Sequence, residues 1–355
     1  ESFASVLIVA CPCALALSAP FTHGAALRLL SRAGFYLKNG AVVERLMGAG
    51  TLVFDKTGTL AGAGRLAVTF EGVALSLSQT GLLQLVACRS AHPYCARLAR
   101  WLDATDSSEE VQAFHEHPGR GVAARVGEAE VLLGSAAWLS ERGISVPGGH
   151  PSTPRSEVHA AVNGEYLGVF LFAPVYRDGL RRLIAALAPR FGLAVLSGDR
   201  PSHRTDLAGL FGAEAELVFE QSPLDKLKYI EARQNRGESV VMLGDGLNDA
   251  GALKQADVGI AVVEDLAAFS PASDAILNAG RLDRLDAFLG FSRTCVRIIH
   301  ISFALSLAYN TIGLFFAATA RLSPIICAIL MPLSSITIVT FAVTATRFAG
   351  RRARL

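Results

Sequence analysis

The sequence predicts a doubly wound α/β domain that is interrupted by an inserted α+β domain and joined to three transmembrane helices. Three stretches without charged residues, each about twenty residues long, predict the helices. Asp55, Asp199 and Asp245 each follow a short apolar run. Such runs predict parallel strands whose carboxyl ends share one edge of a sheet. Between residues 65 and 172 the pattern changes to mixed helical and alternating segments, which indicates the insertion.

The predicted membrane helices lie at the two ends of the chain. Segments 2–27, 301–320 and 324–346 contain no Asp, Glu, Lys or Arg, and 51% of the 355 residues are hydrophobic. A buried core helix is the alternative for any one of these segments, but three of spanning length favour a membrane protein. Arginines follow the first segment, precede the second and follow the third, whereas only Arg321 lies between the last two segments. The positive-inside rule therefore predicts a cytoplasmic middle and tail.

Charge, cysteine content and the first residue narrow the class of protein further. A net charge of +2 gives no sign of a nucleic-acid partner. The six cysteines lie in segments predicted to face membrane or cytoplasm, which argues against a disulfide framework. Because the chain starts with Glu1 inside a predicted span, we expect the carboxyl-terminal part of a larger multi-pass protein of the plasma or inner membrane.

The stretch 55–59, Asp-Lys-Thr-Gly-Thr, is the most informative motif. It follows the apolar run 51–54, so Asp55 is predicted at the carboxyl end of a buried strand. Lys56 adds a cation, Thr57 a hydroxyl, and Gly58 lets the backbone approach a phosphate. Together they suit a carboxylate nucleophile that accepts a phosphoryl group. A strand followed by an ordinary polar turn is the alternative.

A second acidic motif, residues 244–250, follows another predicted strand. It contains Asp245, Asn248 and Asp249. Hard carboxylate oxygens beside a phosphate suit Mg²⁺. A Gly/Asp/Asn-rich turn without function is the alternative, but Asp55 on a sister strand favours the magnesium site.

Segments 55–59, 197–199, 223–226 and 244–250 occur in the order and approximate spacing of the motifs of P-type ATPases, and the chain resembles that family over nearly its whole length. These enzymes belong to the haloacid-dehalogenase-like group. The resemblance implies phosphorylation of Asp55 from ATP, with Lys56 and Lys226 offsetting phosphate charge and Thr57 and Ser197 donating hydrogen bonds. The implied Mg²⁺ ligands are Asp55, Thr57 and Asp245. The implied catalytic set is Asp55, Lys56, Thr57, Ser197, Gly198, Asp199, Lys226, Asn248 and Asp249.

Cys11-Pro12-Cys13 lies in the middle of the first predicted span. Soft thiolates select Cu⁺ and Zn²⁺ over hard cations, and Pro12 interrupts the helical hydrogen bonding. The triplet resembles the ion site of heavy-metal P-type ATPases. In the later spans, Met331 taken alone is better explained by packing and Asn310 by a helix–helix hydrogen bond. As a set, however, these residues resemble the copper(I) branch, which implies further ligands at Tyr309, Asn310, Met331 and Ser334, the last followed by Ser335. No Asp or Glu lies in a span, which favours copper(I) over zinc.

The inserted block is expected to bind the nucleotide. His92-Pro93 and the pair Gly119 and Gly121 resemble residues that contact adenine and approach the nucleotide in the heavy-metal subclass. His92 is preferred over His117-Pro118 and His150-Pro151 because residues 87–98 read as helical. The chain departs from the family pattern at three positions, which are Ala61, Ala91 and Pro174. Cys88 and Cys95 are predicted to be buried thiols on one helical face.

These patterns predict an ATP-driven copper(I) transporter that uses Mg²⁺ and an aspartyl phosphate. The expected partners are the lipid bilayer and, by resemblance, a cytoplasmic copper chaperone, with no nucleic acid. The alternatives are a non-catalytic membrane metal-binding or regulatory protein with a degenerate ATPase domain, a zinc/cadmium-type pump and a membrane-tethered phosphatase.

The family's Thr-Gly-Glu dephosphorylation motif is not in the sequence, so we expect phosphorylation without a complete transport cycle. The predicted domains are a first helix (1–28), a phosphorylation domain in two parts (29–64 and 173–292), an inserted nucleotide-binding domain (65–172), a helix pair (293–347) and a basic tail (348–355).

Overall fold

The computed structural model describes residues 2–11, 13–103, 110–147, 156–199, 201, 204–246, 248–265 and 272–355. The chain divides into two compact units. The first unit comprises Glu1–Leu60, Asp178–Gly198 and Leu207–Leu355. The second comprises Ala61–Arg177 and Asp199–Asp206. The domain boundaries drawn from the sequence stay predictions.

Three helical segments of the first unit are long and apolar enough to cross a membrane, as the sequence predicts. The first consists of two helices, α1 (Ser2–Val9) and α2 (Cys13–Arg32). The others are α11 (Leu285–Ala318) and α12 (Pro324–Arg352). All but α1 extend beyond the uncharged stretches, because charged residues continue the helices past the apolar run. The kink expected at Pro12 lies outside the described residues.

The two halves of helix α11 differ in burial. Its first half is buried against the α/β domain, where Phe288 stacks on Phe35 with ring centroids 5.2 Å apart. Beyond residue 300 its large apolar side chains are exposed, as at Leu307 and Phe315. An exposed apolar surface of this kind is typical of a lipid-facing helix. One continuous 34-residue helix therefore connects the soluble core with the predicted membrane region.

A seven-stranded sheet forms the soluble core of the first unit. Its order is β1-β13-β12-β11-β2-β9-β10, parallel throughout except for the edge strand β1. The strands are β1 (Phe35–Leu37), β2 (Thr51–Asp55), β9 (Gly192–Leu196), β10 (Glu216–Val218), β11 (Val240–Gly244), β12 (Val258–Val263) and β13 (Ala275–Asn278). The helices around it are α3 (Gly40–Met47), α7 (Leu180–Leu187), α8 (Arg204–Phe211), α9 (Pro223–Gln234), α10 (Ala250–Gln255) and the 3₁₀ helix Ala279–Arg284.

The central strands of this sheet are wholly buried, which explains their continuous apolar runs. Val53 of β2 and Met242 of β11 are register partners, and both pack against Ile230 of α9. The register also pairs Asp55 with Leu196, so β2 and β9 end together. The predicted doubly wound fold is confirmed.

The second unit contains a six-stranded antiparallel sheet of order β3-β8-β7-β6-β5-β4. Helices α4 and α5 cover one face, where Leu83 and Leu98 are fully buried in a core shared with Phe170. The strands are β3 (Ala61–Gly72), β4 (Val111–His117), β5 (Gly121–Val126), β6 (Ala129–Gly134), β7 (Ser156–Val162) and β8 (Glu165–Tyr176). The helices are α4 (Leu77–Arg89), α5 (Pro93–Leu102) and α6 (Ala136–Glu141).

Three local expectations for the second unit were wrong. The Gly/Ala sequence of residues 61–64 predicts a flexible segment, but these residues open strand β3, because the ladder with β8 supplies hydrogen bonds that the local sequence does not reveal. The sequence from 81 to 103 reads as one helical stretch, but it contributes to two helices, separated where Pro93 starts the second. Cys88 and Cys95 therefore lie on different helices, and Cys88 is exposed while Cys95 is buried. The Pro/Gly-rich sequence of residues 147–152 predicts a loop, and from position 148 onward this segment lies outside the described residues.

Candidate active site

Asp55 is the last residue of β2 and is almost completely buried. Lys226 of α9 donates to its carboxylate, with Nζ 2.5 Å from Oδ1. The same ammonium group donates to Asp249, with Nζ 2.7 Å from Oδ1. One cation thus links the carboxyl end of β2 to the loop after β11.

Local sequence explains why Lys226 points into the site. Helix α9 begins with a capping box, in which Ser222 accepts a hydrogen bond from the Asp225 backbone N–H and the Asp225 carboxylate accepts one from Ser222. Pro223 occupies the first helical turn, where its missing N–H is not needed. Lys226 follows one residue after the capping box, and Ile230, four residues further on, is buried in the core. The two residues share one helical face, so the cap fixes the rotation that brings Lys226 to the sheet edge.

Asp249 approaches the end of β11 through a close contact with a glycine. A Cβ atom on Gly244 would lie 2.6 Å from Asp249 Oδ2, so only glycine fits. That oxygen is buried and has no hydrogen-bond partner among the described residues. A buried acceptor without a partner is costly unless a ligand or water satisfies it. The site therefore contains one acceptor ready for a further group.

Burial governs the ionisation of these three groups. The pKa of the Asp55 carboxyl is raised to about 7, first by burial and then by the charge of Asp249, while Lys226 opposes the rise. Burial likewise raises the pKa of Asp249, against the stabilising effect of Lys226. Burial disfavours the charged Lys226, but Asp55 and Asp249 outweigh it and raise the pKa of the ammonium. Lys226 is therefore a fixed positive charge between two carboxylates.

The loop between Asp55 and Leu60 lies against Asp245. Gly58 has φ +79°, and a Cβ atom there would be 3.0 Å from Asp245 Cβ. Asp245 accepts hydrogen bonds from Asn248, at 3.2 Å from the backbone N–H and 3.1 Å from Nδ2. Asp245 is also close enough to Asp55 for its charge to raise the pKa of that carboxyl. Two carboxylates thus meet at one loop.

The donor set fits Mg²⁺. The described residues contain no group of three or more His, Cys, Asp or Glu side chains that could hold a metal. Mg²⁺ uses one or two carboxylates, waters and substrate phosphate rather than an all-protein cage. Asp55 and Asp245 would supply the carboxylates, and the Asp249 side chain, which shares Lys226 with Asp55, adds a buried oxygen without a hydrogen-bond partner among the described residues. The prediction that Thr57 is a ligand stays a prediction.

The remaining predicted catalytic residues of the first unit line the same strand ends. Lys56 is buried, and its backbone N–H donates to the Leu196 carbonyl at 3.1 Å. Ser197 is fully buried, and its backbone N–H donates a hydrogen bond to the Val218 carbonyl. Gly198 lies close to the Gln221 carbonyl oxygen, which would be 3.3 Å from a Cβ atom added to this glycine. Thr57 is exposed. Asp199 falls in the second unit, and its role stays a prediction.

The cysteines of the first span differ from the sequence expectation. The Cys11 and Cys13 sulfurs form a disulfide, with the Cα atoms 5.5 Å apart. The sequence argues against a disulfide framework, whereas this one pair of sulfurs is bonded. The reason is spacing, because a single intervening residue leaves the two Cα atoms within disulfide range. The predicted role of Cys11 and Cys13 in ion binding stays a prediction.

The other predicted ion ligands lie where α11 packs on α12. Tyr309 donates its hydroxyl to the Leu330 carbonyl at 3.1 Å, while Met331 and Ser334 are buried. Ser334 donates to the Met331 carbonyl at 2.9 Å. Asn310 Oδ1 and the buried Ser306 hydroxyl have no hydrogen-bond partner among the described residues. Sequence reasoning missed Ser306, although its position one turn before Asn310 on the same helical face is a usable signal.

The predicted nucleotide residues belong to the second unit. His92 is the N-cap residue of α5, and its Nδ1 accepts a hydrogen bond from the Tyr94 backbone N–H at 3.3 Å. The sequence predicts a position inside a helix, whereas His92 precedes the first helical residue. Pro93 starts that helix. Gly119 has φ +71° with open space around its Cα. A Cβ on Gly121 would be 2.5 Å from the Leu133 carbonyl oxygen. Close packing of the two strands therefore explains a glycine at this position without a nucleotide. The nucleotide roles stay predictions.

The haloacid dehalogenase-like hydrolase family matches residues 50–257, a segment that includes Asp55, Lys226 and Asp249. The chain belongs to this family. Nearly its whole length is also similar to P-type ATPases, which confirms the resemblance drawn from the motifs.

Two curated relatives and one solved structure illustrate the similarity. The chain is 32% identical over 359 residues to the copper-exporting P-type ATPase of Mycobacterium tuberculosis, covering 97% of this chain and 46% of that protein. It is 33% identical over 349 residues to the nitrogen fixation protein FixI of Rhizobium leguminosarum, covering 98% and 45%. A zinc-transporting PIB-type ATPase in the E2.Pi state superposes with a TM-score of 0.80 at 25% identity, covering 95% of this chain and 56% of that one.

This member of the haloacid dehalogenase-like family spans about half the length of the curated relatives that it matches. Its family segment ends at residue 257, before the predicted helix pair. The P-type ATPase relatives, by contrast, align across the membrane helices as well. The longer alignments therefore relate the soluble site and the predicted membrane region to one class of protein.

Proposed function

We propose that this chain is the catalytic and ion-binding part of an ATP-driven copper(I) pump in which Asp55 is phosphorylated. The observation that carries the proposal is the buried carboxylate at the end of β2, hydrogen-bonded to Lys226 and adjacent to Asp245. A structural ion pair would need no second acidic loop at the same strand ends. A carboxylate that must receive a phosphoryl group needs a cation, and a pair of hard oxygen ligands, at that place.

The geometry supports the following chemistry. Lys226 holds Asp55 Oδ1, which orients the carboxylate so that Oδ2 attacks the γ-phosphorus of ATP. The Oδ2–P bond forms, the bond from phosphorus to the β–γ bridging oxygen breaks, and ADP leaves with that electron pair. Mg²⁺, when bound by Asp55 and Asp245, neutralises charge on the phosphoryl oxygens. Lys226 stays protonated between its two carboxylates and stabilises the negative charge of the product.

Copper(I) is the transported ion that the membrane helices favour. Cys11 and Cys13, when reduced, offer two soft thiolates, and Met331 adds a thioether. Helix α12 contains no Asp or Glu, and the only one in α11, Asp286, lies in its first turn. The relatives named as copper exporters agree with this choice. Zinc is the second candidate, because the structural neighbour is a zinc transporter.

The arginine distribution supports cytoplasmic catalytic units in a multi-pass membrane protein. Basic residues lie in the last turns of both α2 and α12, and Arg321 is the one charged residue in the connection between α11 and α12. A copper chaperone would therefore meet the chain from the cytoplasmic side.

The first test is phosphorylation of the purified full chain by γ-labelled ATP with Mg²⁺. We expect an acid-stable label that hydroxylamine removes and that Asp55→Asn abolishes, whereas Glu214→Gln, which neutralises an exposed carboxylate between α8 and β10, retains it. Absence of label from a folded, ATP-binding preparation would contradict catalysis by this chain and favour the regulatory alternative. A label that persists in Asp55→Asn would place the phosphoryl group on another residue.

The second test addresses the ion. The reduced chain is titrated with Cu⁺ against a chromogenic Cu⁺ chelator, and separately with Zn²⁺. We expect Cys11→Ser/Cys13→Ser to lower Cu⁺ affinity by at least tenfold, because both thiolates are lost. Cys327→Ser, which removes a buried thiol from α12, is the matched control. Tighter binding of Zn²⁺ than of Cu⁺ would replace copper by zinc in the proposal.

A further inference from the structure

A cavity of about 780 Å³ lies between the carboxyl-terminal ends of α2 and α12. The two helices run side by side there; Leu29, which lines the cavity, also contacts Gly350, where an added Cβ would be 2.8 Å from a Leu29 methyl. The cavity belongs to the first unit and lies at the ends of the predicted spans, away from the strand ends of the active site. Neither the proposed phosphorylation nor the proposed ion path uses it.

Four arginines line this cavity. Arg28 and Arg32 come from α2, and Arg347 and Arg351 from α12. In each helix the two arginines are four residues apart and so share one helical face, and all four residues line the same cavity. None of them forms an ion pair with a carboxylate side chain among the described residues, and no acidic side chain lines the cavity. Like charges at this spacing destabilise a helix, and an anion between them would relieve the repulsion.

The cavity also has an apolar end. Pro20 and Phe21 line it from α2, and Val343 lines it from α12. At a rise of 1.5 Å per residue, Pro20 lies roughly 12 Å deeper along its helix than Arg28. The lining thus changes from apolar to basic in the direction from the predicted membrane interior to its surface. An inorganic anion would use only the basic end.

The ordinary reasons for basic residues at such helix ends do not explain this arrangement. The positive-inside rule and the helix dipole favour arginines anywhere in the last turns. Arg352 satisfies both and yet does not line the cavity, since its guanidinium lies over the Phe348 ring at 5.5 Å from the centroid. Convergence of two arginine pairs on one amphipathic cavity therefore requires a further explanation.

We propose that this cavity binds an anionic phospholipid, with the headgroup phosphate among the four arginines and the start of an acyl chain along Pro20, Phe21 and Val343. Guanidinium groups pair with phosphate through two hydrogen bonds at once, which suits them to this task. Basic pockets between membrane helices at the surface recognise such headgroups through the same chemistry. The proposal is independent of phosphorylation and of the transported ion.

The experiment measures lipid retained by the purified full chain in detergent, by native mass spectrometry during titration with phosphatidylglycerol, phosphatidylcholine or soluble glycerol 3-phosphate. We expect retention of phosphatidylglycerol at concentrations at which phosphatidylcholine is lost. Arg28→Gln/Arg347→Gln should weaken retention about tenfold to thirtyfold, because each basic residue near the surface contributes appreciably. Arg352→Gln/Arg354→Gln removes the same charge outside the cavity and should change retention less than twofold.

A second variant guards against misfolding of the arginine double mutant. Gly24 lines the cavity with open space around its Cα. Gly24→Glu adds a carboxylate one turn before Arg28, a pairing that stabilises a helix, and should displace the lipid without removing any arginine.

Three results would overturn the proposal. Equal retention of both lipids would show that the cavity does not select charge. Equal losses in the two arginine double mutants would show that only overall charge matters. Binding of glycerol 3-phosphate as tight as that of the lipid would identify a site for a free phosphate rather than for a lipid.

Discussion

Replacing Lys226 by Met should destabilise the first unit, because it removes a cation that is hydrogen-bonded to two buried carboxylates. The Lys226, Asp55 and Asp249 side chains are 8%, 4% and 1% exposed. At separations of 2.5 and 2.7 Å each pair has a gross attraction of about 6 kcal/mol at an effective dielectric constant of about 20. The substitution keeps the volume of the side chain, so the effect reports charge rather than a cavity.

The measurable loss is smaller than this gross attraction. Breaking a buried ion pair by removing one partner costs about 3–5 kcal/mol. The pKa of Asp55 is already raised to about 7 by burial, so near neutral pH this carboxyl takes up a proton readily and one of the two charges disappears. Asp249 remains buried without its cation. We therefore expect a loss of about 3 kcal/mol, at the lower end of that range.

Hydrogen exchange of the peptides that contain β2 and β11 is the assay, since both strands end at the ion pair. A loss of about 3 kcal/mol accelerates exchange of their slowest amides about a hundredfold. Lys228→Met is the matched control, because Lys228 is exposed on the same helix, and it should change stability by less than about 0.5 kcal/mol. Adding Asp249→Asn to Lys226→Met should restore most of the protection, because it removes the charge left uncompensated.

The electrostatic reasoning would be refuted if Lys226→Met and Lys228→Met gave the same exchange rates. It would also be refuted if Lys226→Met/Asp249→Asn were less protected than Lys226→Met alone. In that case Lys226 would act through packing of its methylene chain rather than through its charge.

Two further substitutions test other contacts of the first unit, one at each end of β2. Gly58→Ala should cost at least about 1–2 kcal/mol from the left-handed backbone, and it should also lower Asp55 phosphorylation because the new methyl group pushes Asp245 away. Glu238→Gln should cost about 1–2 kcal/mol, measured by thermal unfolding at pH 7, because Glu238 accepts hydrogen bonds from Thr51 and Arg233. Those bonds lower the pKa of Glu238, so its stabilisation is present above the unfolded-state pKa of about 4.3 and is lost as the pH falls through the lower folded-state value.

Each substitution has a matched control. Gly237 has φ +82° but open space around its Cα, so Gly237→Ala should show the backbone cost and leave phosphorylation unchanged. If Gly58→Ala behaved in the same way, Asp245 would not depend on that contact. Glu231→Gln is the control for Glu238→Gln. It also removes one negative charge, but Glu231, on α9, forms no side-chain ion pair among the described residues, so this variant should leave the pH dependence of stability intact. A stability difference between wild type and Glu238→Gln that grows below pH 4 would contradict the sign of the pKa shift.

Much of the fold follows from local sequence. The apolar run 51–54 predicts β2 and places Asp55 at its end, because a strand buried on both faces needs continuous apolar side chains. The charge-free segments predict the membrane helices for a similar reason, since lipid excludes unpaired charge. The change of pattern after residue 64 indicates a separate block. These features repeat over a few residues, so a short window of sequence contains them.

Short or irregular elements escaped this reasoning. Strand β13 and the edge strand β1 have only four and three residues, too few for a recognisable alternation. Residues 61–64 belong to β3 although glycine and alanine are poor strand formers. Their conformation is set by the partner strand β8, which lies far along the chain. Tertiary pairing therefore overrides local preference here.

The sequence by itself determined which residues are able to do chemistry: the carboxylate at Asp55, the cation at Lys226 and the acidic loop at 244–250. Only the tertiary structure decided that one ammonium group is shared by Asp55 and Asp249, because Lys226 and Asp55 are 171 residues apart and no local pattern encodes such a distance. The convergence of arginines from α2 and α12 on one cavity was decided in the same way. Side-chain chemistry is a property of single residues, whereas burial, pairing and convergence arise only when distant segments pack together.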